Sequence, residues 1–147
     1  MAQIDIIVGS MLGGTEYVAE ACEETLQALG HTTTLHLQPH FEEISKESDI
    51  WLICTSTHGA GDYPDNFISF ASDLKNDDQD LSTIKSLIIG VGDSSYDTFC
   101  FAAKNINKLL NTKGCINIKE PMYIDMQQDI DPEDHAQEWI SDLNDHL

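Results

Sequence analysis

"SLIIGVGDSSYDTFC", residues 86–100, passes from an apolar run into a polar bend without a break. Ser86 to Ile89 has the character of a buried strand, and Gly90 and Gly92 then interrupt what a packed strand would fill with side chains. Asp93, Ser94 and Ser95 are turn formers, and Tyr96, Asp97, Phe99 and Cys100 crowd into one tight bend. From Thr98 to Lys113 the spacing becomes helical, and Gly114 stops it. Strand, glycine-bearing bend and helix in that order form the repeating unit of a parallel α/β sheet.

The same unit recurs along the chain. Strands are expected at "IDIIVG" from Ile4, "TTLHLQ" from Thr33 and "DIWLICTS" from Asp49, with a looser one at "INIKEPMYI" from Ile116. Their near-continuous apolar character predicts a sheet covered on both faces. Between them, Val18, Cys22, Leu26 and Leu29 share one stripe of a helix over 15–29, stopped by Gly30. Further helices are predicted over 66–75 and after "DIDPEDH", where Asp131 can cap and Pro132 take the first turn. The fold class is α/β, a doubly wound five-stranded parallel sheet with helices on both faces. Residues 1–147 are read as one domain, the size that a chain of 147 residues with 41% hydrophobic content supports. Ligands of such sheets bind beyond the carboxyl ends of the strands, where strand order reverses.

Composition narrows the function. Seven Lys+Arg against 26 Asp+Glu leave a formal charge of −19, so a nucleic-acid or anionic-membrane partner is not expected. The complement is a basic protein, although the acidity can also serve solubility alone. The start "MAQIDIIVGS" has no basic, apolar leader and no apolar run approaches the ~20 residues of a membrane span, so a cytoplasmic protein is expected. Cys22, Cys54, Cys100 and Cys115 form no CxxC pair and the six histidines are scattered, so free thiols and no metal site are expected.

Three loops then carry the chemistry. The first strand empties into Ser10, Met11, Leu12, Gly13, Gly14 and Thr15 at a helix start, where amides, hydroxyls and the helix dipole suit a phosphate. No Lys follows the glycines and the spacing is not GxGxxG, which favours one terminal monophosphate over a polyphosphate. The third strand empties into Thr55, Ser56, Thr57, His58, Gly59, Ala60, Gly61 and Asp62, a loop able to turn its backbone toward a flat polar ring, with His58 and Tyr63 as rings beside it. The fourth empties into Gly92, Asp93, Ser94, Tyr96, Asp97, Phe99 and Cys100. In a doubly wound sheet these three ends converge on one crevice.

In these stretches, "GSMLGGTEYVAE", "STHGAGDYPDN" and "GVGDSSYDTFC", the chain resembles the short-chain flavodoxins, most closely the MioC-type flavodoxins, over essentially its whole length. The resemblance implies non-covalent FMN, its phosphate on residues 10–15 and its isoalloxazine between the other two loops. Tyr96 would stack on one ring face, with Asp97 and Cys100 nearby. Leu12 and Gly14 depart from the Thr and Asn common in the family, and His58 from a common Trp.

By that resemblance the protein is an electron carrier without substrate turnover of its own. It would shuttle single electrons from a basic flavodoxin reductase to an acceptor redox enzyme, a biotin-synthase-like acceptor among the candidates, and work as a monomer. Two other readings stay open: an FMN-dependent NAD(P)H:quinone-type reductase, and a flavin-binding regulatory module.

Overall fold

Strand β1 (Gln3–Gly9) lies between β2 (Thr32–His36) and β3 (Ile50–Ser56), and β4 (Lys85–Gly92) continues the sheet beyond β3. Two short strands, β5 (Ile116–Asn117) and β6 (Met122–Asp125), share the outer edge of β4. The order is β2-β1-β3-β4-β5, with β6 also on β4, and all these pairings are parallel. This computed structural model describes residues 2–10, 14–95 and 97–147.

The expected fifth strand is present but broken. Between Ser86 and Ile89 β4 advances three residues, while its partner advances five, from Asn117 to Met122. The excess falls on 118–121, where Pro121 has no N–H to give the ladder.

Strand order reverses at β1, and right-handed crossovers turn that reversal into two covered faces. Moving from β1 out to β2 places α1 (Gly14–Ala28) on one face; moving the other way places α2 (Asp65–Asn76) and α3 (Phe101–Thr112) on the opposite one. α4 (Pro132–Asp142) returns beside α1, so that Val18, Cys22 and Leu26 meet Ala136 and Ile140 over Ile4, Ile6 and Leu52. On the other face Phe41, Trp51, Phe67 and Phe70 pack edge to face or tilted, with neighbouring centroids 5.1–6.5 Å apart. No helix among the described residues is long and apolar enough to cross a membrane.

Polar groups inside this core are matched. Asp5, buried on β1, accepts from Ser48 Oγ and pairs with His36 Nε2 at 2.8 Å, which ties β2 and the segment before β3 to the central strand. Asp131 caps α4 by accepting from the amides of Glu133 and Asp134, with Pro132 in the first turn as the sequence predicts. The four cysteines are free and buried.

One expected boundary moves. α3 begins at Phe101 rather than Thr98, because Cys100 sits in the left-handed region at φ 54° and interrupts the helical ladder. Cys100 offers no side-chain cap; Thr57 Oγ1, from the loop after β3, accepts from Ala102 N at 3.1 Å instead.

Ser86 Oγ is the exception to the matching, a fully buried hydroxyl with no partner among the described residues. Leaving a buried hydroxyl unpaired costs about 1–3 kcal/mol. Ser86→Ala is expected to raise stability by about 1 kcal/mol in urea unfolding; a variant less stable than the parent would show that the hydroxyl is satisfied.

Candidate functional site

Sheet register brings the strand ends level. Gly9 pairs with Thr55, Ser56 with Val91 and Gly92 with Asp125, so the loops after β1, β3, β4 and β6 leave one edge of the sheet together. Above that edge lies an open cleft of ≈ 420 Å³, within the range of small-molecule and cofactor sites. Its walls come from Ser56, Thr57 and Gly59 on one side and Gly92, Asp93, Phe99 and Cys100 on the other.

The loop after β1 is anchored at its start and end. Ser10 N donates to Asn66 Oδ1 at 2.9 Å, and Thr15 is buried in the first turn of α1. Gly14 opens that helix, and a Cβ there would meet nothing within 4 Å, so the chain's own packing does not call for a glycine. The first-turn amides of a helix lack intrahelical acceptors and carry its positive dipole end. Met11, Leu12 and Gly13, expected to hold the phosphate, lie outside the described residues.

The loop after β3 closes on itself. His58 N donates to Asp62 O and Asp62 N to His58 O, both at 2.8 Å, a closure that needs Gly59 at φ 54° and Gly61 at φ 109°. Gly61 also lies flat on α3, where a Cβ would come within 3.1 Å of the Phe101 ring. Ser56, Thr57 and Gly59 thus face the cleft, and His58, Ala60 and Asp62 are exposed without lining it. Thr55 is buried behind them, donating its hydroxyl to Ser56 O. Tyr63 does not stand beside the cleft; it packs on Phe67 at 5.5 Å between centroids.

The bend after β4 is bound to the segment after β6. Asp93 accepts from Ser95 N and Oγ and from Gln127 Nε2, Asp125 accepts from Ser94 N, and Met126 N donates to Gly92 O. Hydrogen bonds from Ser95 hold the Asp93 carboxyl below its ordinary 3.8, and those from Ser94 do the same for Asp125. What they contribute to holding the bend is therefore complete above pH 3.8 and fades as pH falls through the lowered values. Burial pushes the Cys100 thiol up to about 12, so it stays protonated at neutral pH. Ser94 and Asp97 are exposed outside the lining, and Tyr96, expected on a ring face, lies outside the described residues.

Val91, Thr98 and Met126 line the cleft without having been singled out by sequence. Met126 had a legible signal: the strand before it was recognised and must empty at the same edge as the others. Its loop, "MQQD", contains neither glycine nor aromatic, so a reading keyed to those residues passes over it. The helical spacing predicts Thr98 within α3, and the left-handed Cys100 instead leaves it in the bend that lines the cleft.

Cation placement is sparse and specific. All of residues 1–45 lack Lys and Arg, so no cation is local to the first loop in sequence. Lys104 on α3 holds its ammonium 5.4 Å from the Phe101 and Tyr123 centroids and 5.8 Å from that of Phe99. Among the described residues no three or more His, Cys, Asp or Glu are grouped to hold a metal ion.

Comparison with known proteins agrees with this arrangement. The flavodoxin family profile matches residues 6–139. "Protein MioC" of Escherichia coli K12 is 44% identical over 141 residues, covering 95% of each chain, and the "Protein MioC homolog" of Haemophilus influenzae is 42% identical over 137 residues, covering 93% of each. "Flavodoxin YqcA" of Escherichia coli K12 is 33% identical over 141 residues, again 95% of each chain. Among solved structures, an alanine variant at a cysteine of Pseudomonas aeruginosa flavodoxin superposes with a TM-score of 0.91 at 26% identity, over 99% of this chain and 98% of that one. A profile running from β1 into α4, over the sheet edge where the loops after β3, β4 and β6 line one cleft and Ser10, Gly14 and Thr15 of the first loop lie outside its lining, makes the chain a member of the flavodoxin family.

Proposed function

We propose that this chain is an FMN-dependent electron carrier, passing single electrons from a basic reductase to an acceptor redox enzyme in the cytoplasm. The observation that carries the reading is the cleft itself, open to solvent and walled by glycines, hydroxyls and Phe99, with a protonated thiol. Flavodoxins as a family are carriers rather than turnover enzymes, which agrees with that wall chemistry.

The residues present fit FMN. A phosphate fits at the start of α1, where the open space over Gly14 leaves the first-turn amides approachable and no cation is near in sequence. A flat ring fits between Gly59 and Gly92, each of which leaves backbone bare toward the cleft. Bound FMN would supply the one-electron chemistry. The chain's part would be to hold the ring between Gly59, Gly92 and Phe99 and to set beside it ionised carboxylates such as Asp93 that disfavour further negative charge.

Three measurements test this. Flavin released from the purified protein is expected to be FMN, one per chain, by mass spectrometry, with no steady NADPH oxidation in the absence of a reductase. Stoichiometric FAD, sustained NADPH turnover with a quinone, or failure to bind flavin would overturn the carrier reading.

Gly92 should be intolerant of a side chain. A Cβ there would lie 3.0 Å from Cys100 Sγ and 3.2 Å from the Phe99 ring, both walls of the cleft. Gly92→Ala is expected to weaken FMN binding by about tenfold, or 1.4 kcal/mol, and to shift the visible flavin bands. Unchanged affinity and spectrum would place the ring elsewhere.

The charge should act at one end of the molecule. Asp62 and Asp65 lie at the cleft end of the sheet, whereas Asp77 and Asp78 follow the far end of α2. Neutralising the first pair to Asn is expected to slow reduction by a basic flavodoxin reductase at low salt far more than neutralising the second. The difference should fade as the screening length falls from ~10 Å at 0.1 M salt to ~3 Å at 1 M. Equal effects of the two pairs would reduce the acidity to a solubility device.

A further inference from the structure

Asn66 occupies the second position of α2, and its three side-chain hydrogen bonds among the described residues go to backbone of other elements. Its Oδ1 accepts from Ser10 N at 2.9 Å, and its Nδ2 donates to Val8 O at 3.0 Å and to Leu37 O at 2.9 Å. One half-buried amide therefore joins the end of β1, the first residue of the loop after it and the segment after β2. The orientation of the amide is dictated by its partners, since a flip would aim its N–H groups at the Ser10 N–H and its oxygen at two carbonyls.

The structure assigns Asn66 the role of a positioning residue for the loop that holds the cofactor phosphate, an inference that rests on the FMN reading above. Ser10 is the last described residue before that loop, and α1 starts only four positions later at Gly14. With its amide N–H turned inward to Asn66, Ser10 sets where the loop leaves the sheet. Asn66 itself sits in the first turn of α2, the helix that follows the loop after β3, whose Gly59 lines the cleft, so the element that bears the phosphate-end bonds also continues from the ring end. No other residue type supplies one acceptor and two donors from so short a stem. Aspartate would keep the acceptor and set a carboxylate against two carbonyls; serine would keep at most one donor.

The test uses two flavins on the full chain. FMN and riboflavin differ by the phosphate alone, so a residue that places the phosphate loop should affect the first and spare the second. Asn66→Asp is expected to cut FMN affinity by about tenfold, with riboflavin affinity changed less than twofold, both measured by quenching of flavin fluorescence. The ³¹P resonance of bound FMN should move in the same variant. If Asn66→Asp does not fold, Asn66→Ser is read in the same way. Equal loss of both flavins would reveal a general structural role and overturn the assignment. A parental preference for FMN retained unchanged in the variant would also overturn it, while leaving the phosphate site in place. A parent chain that binds riboflavin as tightly as FMN would remove the phosphate site itself, and the proposal with it.

Discussion

The pairing of β1 with β3, in register from Ile4 with Ile50 to Gly9 with Thr55, is the constraint on which the rest depends. Because β1 also pairs with β2, the chain must reverse its direction of travel across the sheet at this point. A right-handed crossover in each direction then puts α1 on one face and α2 on the other, and the two helices diverge above the ends of β1 and β3. The space they leave is a consequence of topology, before any side chain is chosen. What the sequence adds is what fills it: glycines and small hydroxyl residues at the strand ends, where bulky side chains would close the gap.

The walls of that space are held by contacts between loops more than within them. Thr57 from the loop after β3 caps α3 at Ala102, and Gly61 of the same loop lies on Phe101. Asp93 and Asp125 bind the bend after β4 to the segment after β6, and Asn66 binds the start of α2 to the end of β1. These bonds fix the geometry around Cys100, whose left-handed backbone costs about 1–2 kcal/mol for a residue with a Cβ. Such a conformation persists only where its surroundings over-determine it. Here the thiol fills the hollow beside Gly90 and Gly92, with contacts of 3.2 and 3.0 Å to the positions their Cβ atoms would take, so the two glycines and the cysteine form one fitted unit.

That unit shows what sequence could and could not disclose. The strands and helices were legible because apolar periodicity depends on neighbours a few positions away, and Gly30, Gly114 and Asp131 marked their ends. The gathering of loops at one edge was legible too, as a corollary of parallel order. Thr57 as a cap for α3 was not, since the two lie 45 positions apart and only the fold makes them adjacent. The same holds for Asn66, quoted within a motif yet not marked as a site residue, because backbone partners on β1, in the loop after it and in the segment after β2 leave no trace in local pattern. Phe99 and Cys100 were rightly placed in the bend, but the pattern could not say that the bend delays α3 until Phe101.

Charge contributes to this molecule at a different level from the fold. Of the 26 acidic residues, Asp5 alone is buried, and His36 and Ser48 satisfy it within the core. The remaining carboxylates face solvent, where individual pairings are worth little and repulsion between them is screened. Their number cannot be explained by stability, since an excess of one sign opposes compaction. Seven lysines and no arginine make up the basic side chains, and among the described residues Lys104, over the rings of Phe99, Phe101 and Tyr123, is the one whose aromatic contacts reach a cleft wall. A surface so one-signed acts on what approaches the molecule, and the cleft opens onto that surface.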